Sequence, residues 1–375
     1  MNIDIKPGIF AGLNKTLKGN FFMENTRLIS HKVLEDFCTE LFTKADVSEE
    51  DARWYAETLV RANLRGIDSH GVLRVPNYFN RFICKALNPR PQFKIEKLAP
   101  AMTLIDADAA AGCVVSKVAM EAAIESAEKC GIGMCQVVNS NHFGAAAEYA
   151  QMAVDKGMIG YAACTVPTLI TAPGAKKKLI GNNPFALGIP TYLEDHPFML
   201  DMALSVVAEG KLRFAAAKGT KIPTSWAADA NGNPTDDPEE ALKGFLLPVG
   251  GFKGLGLAYA IDIISGMMTS DYYADKIKSM YRNPTEPSHI GQTFIAINAK
   301  LFVDEETLKQ RMQNFHDYLE AAPLVEGNTN KLCFPGEIEY RTMKKRLEEG
   351  IPVPFTTIDM LNELKEKYGV KASLD

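Results

Sequence analysis

The spacing of apolar side chains divides the chain into three regions. Residues 28–88 carry apolar side chains at helical spacing, and a serine followed by acidic residues at 48–51 is typical of a helix N-terminus. From about residue 98, short apolar runs alternate with helical segments, as they do in α/β units. Residues 304–375 return to helical spacing with charged faces. The pattern predicts an α/β protein.

Several elements of the central region are predicted individually. Gly131 is placed to close an amphipathic helix, and the glycine-rich "GGFKGLG" from Gly250 leads into a long apolar helix. We predict helices at residues 114–130 and 143–157 and strands at residues 132–140, 158–166 and 293–302.

Composition limits the classes of partner. The chain has 375 residues, of which 46% are hydrophobic and 23% charged, and its formal net charge is −5. This length favours two or three packed subdomains. The negative charge argues against nucleic acid and against a polybasic membrane contact, and no apolar run is long enough to span a bilayer. We therefore expect neither nucleic acid nor a membrane as a partner.

The cysteines and the N-terminus bear on location and metal binding. The seven cysteines include no C-x-x-C pair, which indicates reduced, buried thiols in a cytoplasmic compartment. No His/Cys group has the spacing of a zinc site, so no metal is expected. The first residues lack the apolar core of a secretory signal. A clearer helical start at Met23 leaves residues 1–22 either a loosely attached extension or part of the fold.

The usual dinucleotide motif is missing from the sequence. No G-x-G-x-x-G follows a predicted strand, and no Walker A motif occurs. If a dinucleotide binds, it therefore binds to a framework other than the common one.

Two of the six histidines stand in stretches that suit acid–base chemistry. His70 follows Ser69, and Arg74 lies four residues further on, so a helix would place a proton-transfer group and a carboxylate-binding guanidinium on one face. His142 follows a predicted strand and precedes a helix, where α/β enzymes place reactive groups. The alternatives are a helix start with Ser69 as its cap and Arg74 solvated, and a capping loop around His142. Spacing alone does not decide between them.

Three further stretches are compatible with nucleotide binding. Lys253 lies among glycines before a helix, an arrangement that attracts phosphate, although an exposed lysine in a flexible turn has the same pattern. Asp201 interrupts an apolar strand, where it suits a ribose diol or an N-cap. Residues 334–337, "FPGE", form a turn that ends in an acid and indicate little alone.

The order of these motifs resembles one known family. The motifs are, in order, "SHGVLR" from Ser69, "NHFG" from Asn141, "GNNP" from Gly181, "DMA" from Asp201, "GK" from Gly210, "GFKG" from Gly251 and "PGE" from Pro335. This set is similar to that of the malate/L-lactate dehydrogenases that lack a Rossmann fold, among them ureidoglycolate dehydrogenase, diketogulonate reductase and sulfolactate dehydrogenase. The resemblance extends over roughly residues 27–350.

The resemblance implies a fold and a division into domains. It implies a non-Rossmann NAD(P)-binding domain with a largely antiparallel sheet, packed on a mainly helical domain built from N- and C-terminal segments. A homodimer is also implied. The expected division is an extension at residues 1–26, a helical substrate domain at 27–130, a cofactor domain at 131–303 and a C-terminal segment at 304–375 that packs back on the first domain.

Roles for individual residues follow from the matching motifs. His70 and His142 each match a histidine proposed as the acid/base in different members, and Arg74 matches a contact to the substrate carboxylate. Ser69 is expected to hydrogen-bond the substrate hydroxyl. The expected cofactor contacts are Thr165, Asp201, Met202, Ala203, Lys253, Gly254, Pro335, Gly336 and Glu337.

The expected reaction is hydride transfer between a 2-hydroxy acid and NAD, with NADP possible. Leu204, Phe252 and Leu255 depart from the residues usual in the family, and these positions concern cofactor packing and substrate choice. Malate is the favoured substrate, and lactate, sulfolactate, ureidoglycolate and diketogulonate stay open. A nucleotide-binding relative without turnover and a non-oxidative lyase are the alternative functions.

Overall fold

The computed structural model of the chain describes residues 26–328 and 332–375. The expected N-terminal extension lies outside the described residues except for its last position. The helices are α1 (His31–Thr43), α2 (Glu49–Leu64), α3 (Val75–Ile83), α4 (Gly112–Cys130), α5 (Ala147–Val154), α6 (Glu209–Lys218), α7 (Pro238–Lys243), α8 (Phe252–Ser265), α9 (Glu305–Glu320), α10 (Glu337–Glu349) and α11 (Phe355–Tyr368). The strands are β1 (Thr26–Ile29), β2 (Lys94–Ala99), β3 (Met102–Asp106), β4 (Ile132–Ser140), β5 (Ile159–Cys164), β6 (Phe185–Ile189), β7 (Phe198–Met202), β8 (Ala227–Ala228), β9 (Phe245–Leu246), β10 (Ile290–Ile297) and β11 (Ile351–Pro354).

A mostly antiparallel sheet forms the centre of the described chain. Its seven strands have the order β2-β3-β4-β10-β5-β6-β7. Strands β3 and β4 run parallel, and the other neighbouring pairs are antiparallel. The prediction of an α/β protein with a largely antiparallel sheet is thereby confirmed. Because β10 and β6 run against their neighbours, the carboxyl ends of β4, β5 and β7 lie at the same edge of the sheet.

Helices cover this sheet through apolar stripes. Helix α4 packs on β4 and β10, and α5 packs on β5 and β6. The buried side chains of α4 include Val115, Ala119 and Ala123, which recur at the spacing of one helix face. Gly131 ends the helix with φ at +83°, a left-handed conformation that glycine adopts without steric cost. The predicted end of this helix is therefore confirmed.

The two ends of the described chain meet. Strands β1 and β11 pair in antiparallel fashion, and α11 packs on α1 and α3. Both strands lie in regions where only helices were expected, so that part of the prediction is wrong. A strand of four residues offers too few positions for an alternating pattern to be recognised.

Two boundaries differ from those expected. The strand predicted at 293–302 occupies Ile290–Ile297, because Asn298 accepts a hydrogen bond from the Lys300 N–H and starts the short 3₁₀ turn Ala299–Leu301. Strand β3 pairs with β4 across residue 130, so the sheet takes strands from both sides of the expected domain boundary. The division into domains stays a prediction.

Candidate active site

Three of the expected site segments meet at one edge of the sheet. His142 lies just beyond β4, Thr165 follows β5, and Met202 ends β7. The start of β10 lies between the first two, since Ile290 pairs with Ser140 and β10 also pairs with β5. The strand order thus brings together residues that are distant in sequence.

His70 and Arg74 stand in two short turns rather than on one α-helix. The 3₁₀ turns Asp68–His70 and Val72–Arg74 are separated by Gly71 and lead directly into α3. The single helix that would have put both side chains on one face is therefore not formed. Two turns hold them instead, and Ser69 does not cap a helix.

The side chain of Asn63 fixes these turns through two hydrogen bonds. Its Oδ1 accepts the Val72 N–H at 2.8 Å, and its Nδ2 donates to Asp68 Oδ1 at 2.6 Å. Asp68 in turn pairs with Arg346 of α10 at 2.6 Å. A Cβ at Gly71 would clash with the Asn63 side chain, so this close approach requires glycine. The turn that carries His70 is thus anchored to both α2 and α10.

Asn141 anchors the loop that carries His142. Its Oδ1 accepts from Arg81 at 2.8 Å and from the Ser288 N–H at 2.9 Å. The start of α4 also approaches closely, because a Cβ at Gly112 would clash with the Asn141 carbonyl oxygen and lie 2.6 Å from that of His142. The loop is therefore held by backbone contacts as well as by side chains.

The two imidazoles lie side by side. The ring centroids of His70 and His142 are 5.8 Å apart, with 20° between the planes. Nδ1 of His70 is 2.9 Å from Ser69 Oγ, and Nδ1 of His142 is 2.7 Å from the Tyr78 hydroxyl. The Gly144 N–H also donates to Nδ1 of His142, at 3.2 Å. Because a backbone N–H can only donate, Nδ1 of His142 is an acceptor and the neutral ring carries its proton on Nε2.

Burial favours the neutral form of both rings. Burial, followed by the positive charge of Arg74, lowers the pKa of His70 to about 4. Burial also lowers the pKa of His142 well below its usual value, with further contributions from His70, Arg74 and Arg81. Both imidazoles are therefore unprotonated near neutral pH and able to accept a proton.

Two arginines make this region electropositive. Arg74 donates from Nε to the Ser69 carbonyl at 2.6 Å and lies 5.6 Å from the Tyr281 ring centroid. Arg81 is 2% exposed, and its Nη2 contacts oxygens of neutral groups, among them Asn141. Within residues 26–328 and 332–375, neither arginine forms an ion pair with a carboxylate. An anionic ligand would therefore meet positive charge that the described chain does not neutralise.

Asp201 and Thr165 both accept hydrogen bonds from the backbone at this edge. Asp201 Oδ2 accepts the Ala147 N–H at 3.1 Å, at the first residue of α5. Burial raises the pKa of Asp201, and this hydrogen bond acts in the opposite direction. The Thr165 hydroxyl, which is fully buried, accepts the Gly291 N–H at 3.0 Å. The structure thus places Asp201 beside the segment that follows His142, and Thr165 beside the start of β10.

The glycine loop lies next to the residues that follow β7. The Val249 N–H donates to the Leu204 carbonyl at 2.9 Å, beside Ala203. Gly254 is buried and a Cβ there would clash with the Val249 carbonyl, whereas Lys253 is exposed in the first turn of α8. A cation at a helix N-terminus fits the phosphates of a dinucleotide.

The C-terminal turn packs against β7. The Met199 N–H donates to the Pro335 carbonyl at 2.7 Å. Gly336 has φ at +98°, and a Cβ there would lie 2.9 Å from Met199 Cβ. Pro335 and Gly336 therefore lie along β7, the strand that carries Asp201 and that ends the strand order of the sheet.

The carboxylate of Glu337 is completely buried among partners. Oε1 accepts from the Phe334 N–H at 2.9 Å and from His316 Nε2 at 3.0 Å, and Oε2 accepts from Arg341 at 2.6 Å. His196 Nδ1 lies 3.4 Å from Oε2. Burial raises the pKa of Glu337, but the hydrogen bonds and the two histidines outweigh it and lower the pKa overall. Its role as a cofactor contact stays a prediction.

Sequence reasoning missed four residues that shape the site: Tyr78, Arg81, Asn141 and Tyr281. Tyr78 and Arg81 belong to the same stretch as Arg74 and follow it at helical spacing, and this spacing is the signal that indicates them. Asn141 directly precedes His142. Tyr281 has no local signal, since only the tertiary fold brings it to Arg74.

The chain matches the family model described as "Malate/L-lactate dehydrogenase" over residues 29–362. A malate dehydrogenase of Pyrococcus abyssi is 37% identical over 356 residues, which cover 93% of this chain and 97% of that protein. A ureidoglycolate dehydrogenase (NAD(+)) of Escherichia coli is 33% identical over 325 residues, which cover 87% and 92%. The structure of sulfolactate dehydrogenase from Methanocaldococcus jannaschii has a TM-score of 0.86 and 35% identity, covering 92% of this chain and 98% of that chain.

The fold and these matches define a dehydrogenase of the class that acts on 2-hydroxy acids. The chain belongs to the malate/L-lactate dehydrogenase family, and the resemblance found in the sequence is confirmed. None of the helices in the described residues is long and apolar enough to cross a membrane.

Proposed function

We propose that this protein interconverts a 2-hydroxy acid and its 2-oxo acid with NAD, and that malate is the favoured substrate. The observation that carries the proposal is the pair of imidazoles 5.8 Å apart beside Arg74, which has no carboxylate partner in the described chain. Oxidation of a hydroxy acid needs a proton acceptor and a cation for the carboxylate, and this site holds both.

Arg74 is proposed to bind the C1 carboxylate of the substrate. Its Nε is held by the Ser69 carbonyl, which leaves the two terminal nitrogens for a bidentate contact. The neighbouring charge of Arg81 adds attraction for acids with a second anionic group, such as malate. Relatives of this chain are named for malate and for sulfolactate, both of which carry two anionic groups.

His70 is proposed to move the proton. His142 keeps its proton on Nε2, because the Gly144 N–H makes its Nδ1 an acceptor. Nε2 of His142 can therefore donate a hydrogen bond to the C2 oxygen. His70 faces the Ser69 hydroxyl, which can accept as well as donate, so Nε2 of His70 is free to act as the base. In the reverse direction protonated His70 returns the proton to the oxo acid.

The nicotinamide cofactor, when bound, accepts the hydride from C2. Its proposed contacts are the expected ones: Thr165, Asp201, Met202, Ala203, Lys253, Gly254, Pro335, Gly336 and Glu337. Support comes from the helix N-terminus at Lys253 and from the hydrogen bond that joins the preceding loop to the residues after β7. NAD is favoured because a relative is named for it, and NADP stays possible. The non-Rossmann character and the domain division are proposed with it, supported by the mostly antiparallel sheet.

We also propose a homodimer in the cytoplasm. Helix α8 and the turn after it expose large apolar side chains, with Leu257 50%, Ile263 44% and Met268 70% exposed. An apolar face of this kind suits a second copy of the chain. Light scattering on the purified protein tests the dimer, and a monomer at micromolar concentration would contradict it.

A panel of 2-oxo acids with NADH and with NADPH tests the reaction, followed by nicotinamide absorbance. We expect oxaloacetate with NADH to show the highest kcat/KM, and His70→Gln to abolish most of it. Tight NADH binding without turnover on any acid would favour a silent nucleotide-binding relative. Failure to bind either cofactor would overturn the dehydrogenase assignment in favour of a lyase.

A further inference from the structure

Three side chains that commonly bind metals converge beyond β7, away from the histidine pair. His196 lies in the connection before β7, His316 lies in α9, and Glu337 opens α10. One nitrogen or oxygen from each lies within 4.8 Å of those from the other two. We propose that His196, His316 and Glu337 bind a single divalent transition-metal ion of the zinc type. The site shares Glu337 with the proposed cofactor contacts, but His196 and His316 have no part in the proposed hydride transfer.

Each imidazole lies close to a different oxygen of the Glu337 carboxylate. His316 Nε2 lies 3.0 Å from Glu337 Oε1, and His196 Nδ1 lies 3.4 Å from Oε2. Zinc binds nitrogen and oxygen at about 2.0–2.2 Å in tetrahedral geometry, which separates ligand atoms by roughly 3.5 Å. Two imidazoles and a carboxylate are also the donor set that zinc favours, with water as a fourth ligand.

The environment of His196 Nδ1 is the second observation that indicates a bound ligand. Within the described residues this atom is buried and makes no hydrogen bond, although it lies 3.4 Å from Glu337 Oε2 and its side chain as a whole is 29% exposed. Buried polar atoms in folded proteins are nearly always satisfied. A metal ion between this nitrogen and the Glu337 carboxylate would satisfy it, while the partly exposed imidazole gives the ion a route in.

One neighbour of Glu337 would support a bound cation, and another competes with it. The Phe334 N–H donates to Glu337 Oε1 and would orient the carboxylate as an outer contact of the metal. Arg341 is the competing positive charge, because it contacts Oε2 at 2.6 Å. Its side chain is 58% exposed, so it can turn into solvent when an ion takes its place.

A bound ion would join three segments around β7. Pro335 and Gly336 already pack on Met199 of β7, and Asp201 lies in the same strand. The ion would therefore fasten α9 and α10 to this edge strand of the sheet. The expected role is structural, and its test needs no enzyme activity.

The test uses the full-length protein after treatment with a chelator. Zinc chloride is titrated in, and bound zinc per chain is measured after desalting, together with Tm and the visible absorption of a cobalt(II)-loaded sample. We expect one zinc per chain, a Tm increase of a few degrees and cobalt bands of a tetrahedral site. His196→Asn should weaken zinc binding by at least about 10-fold.

The matched control is His289→Asn, because the His289 side chain is 30% exposed, close to the 29% of His196, and lies outside the cluster. It should leave zinc binding unchanged. The proposal is overturned if the protein retains no zinc, or if His196→Asn binds zinc as tightly as the wild type. His316→Gln gives a second check, and His196→Asn decides the outcome if that buried variant does not fold.

Discussion

The two histidines of the candidate site should respond very differently to the same substitution. His70→Gln removes the proposed base, whose loss typically costs about 10²–10⁴-fold in rate. His142→Gln removes a hydrogen-bond donor that the glutamine amide can partly replace. A hydrogen bond between neutral groups contributes about 0.5–1.5 kcal/mol, which corresponds to roughly 2- to 13-fold. We therefore expect kcat for malate oxidation to fall at least about eight times more in His70→Gln than in His142→Gln.

The pH dependence of kcat/KM for malate gives a second, independent measure. Oxidation needs the base unprotonated, and burial with Arg74 lowers the pKa of His70 to about 4. The activity of the wild type should therefore fall with decreasing pH only near this value, not near the ordinary histidine pKa of about 6.5. His70→Gln should lose this dependence, whereas His142→Gln should keep it.

Equal losses in both variants, or a larger loss in His142→Gln, would refute the tautomer argument. Tyr78→Phe is the matched control, because it removes only the hydroxyl that lies 2.7 Å from His142 Nδ1. Its kcat should fall by no more than about 10-fold. Circular dichroism of each variant checks that the fold is retained.

Three further predictions concern the substrate, the close approach of α4 and stability. Arg74→Met should raise KM for malate by about 10–100-fold in steady-state kinetics, because charged hydrogen bonds contribute about 1.5–3 kcal/mol, and an unchanged KM would remove Arg74 from this role. Gly112→Ala should lower the free energy of unfolding in urea by about 1–3 kcal/mol through its backbone clash, whereas the control Gly256→Ala, with open space in α8, should not destabilise. Stability should fall as pH drops from about 6.5 to 4, because the lowered pKa values of His70 and His142 let the unfolded chain bind more protons. Urea denaturation across this pH range checks the last prediction, and a higher stability at pH 4 than at pH 6.5 would contradict it.

Much of the fold could be predicted where a pattern is long. Helix α4 with its end at Gly131 and strand β4 each present enough positions for their period to be recognised. Strands β1 and β11 are too short for that, and they form only because the two ends of the chain pair with each other. The end of β10 depended on Asn298, whose side chain starts a turn within an alternating run.

The candidate site was predictable as a set of motifs but not as an arrangement. The order of the motifs drew attention to His70, Arg74 and His142 through the resemblance to the malate/L-lactate dehydrogenases. The match to that family confirms the resemblance. The motif order did not reveal that two 3₁₀ turns carry His70 and Arg74, because Asn63 and Gly71 set that geometry by contact.

By itself, the sequence determined the alternation of helices and strands, the family, and which side chains are proposed to carry the chemistry. Those properties depend on local periods and residue types, which can be read along the chain. Only the tertiary structure decided that the ends of β4, β5 and β7 share one edge, that the Gly144 N–H makes Nδ1 of His142 an acceptor, and that His196 and His316 meet at Glu337. The physical reason is that such contacts depend on strand order and helix packing, which no spacing within the chain records.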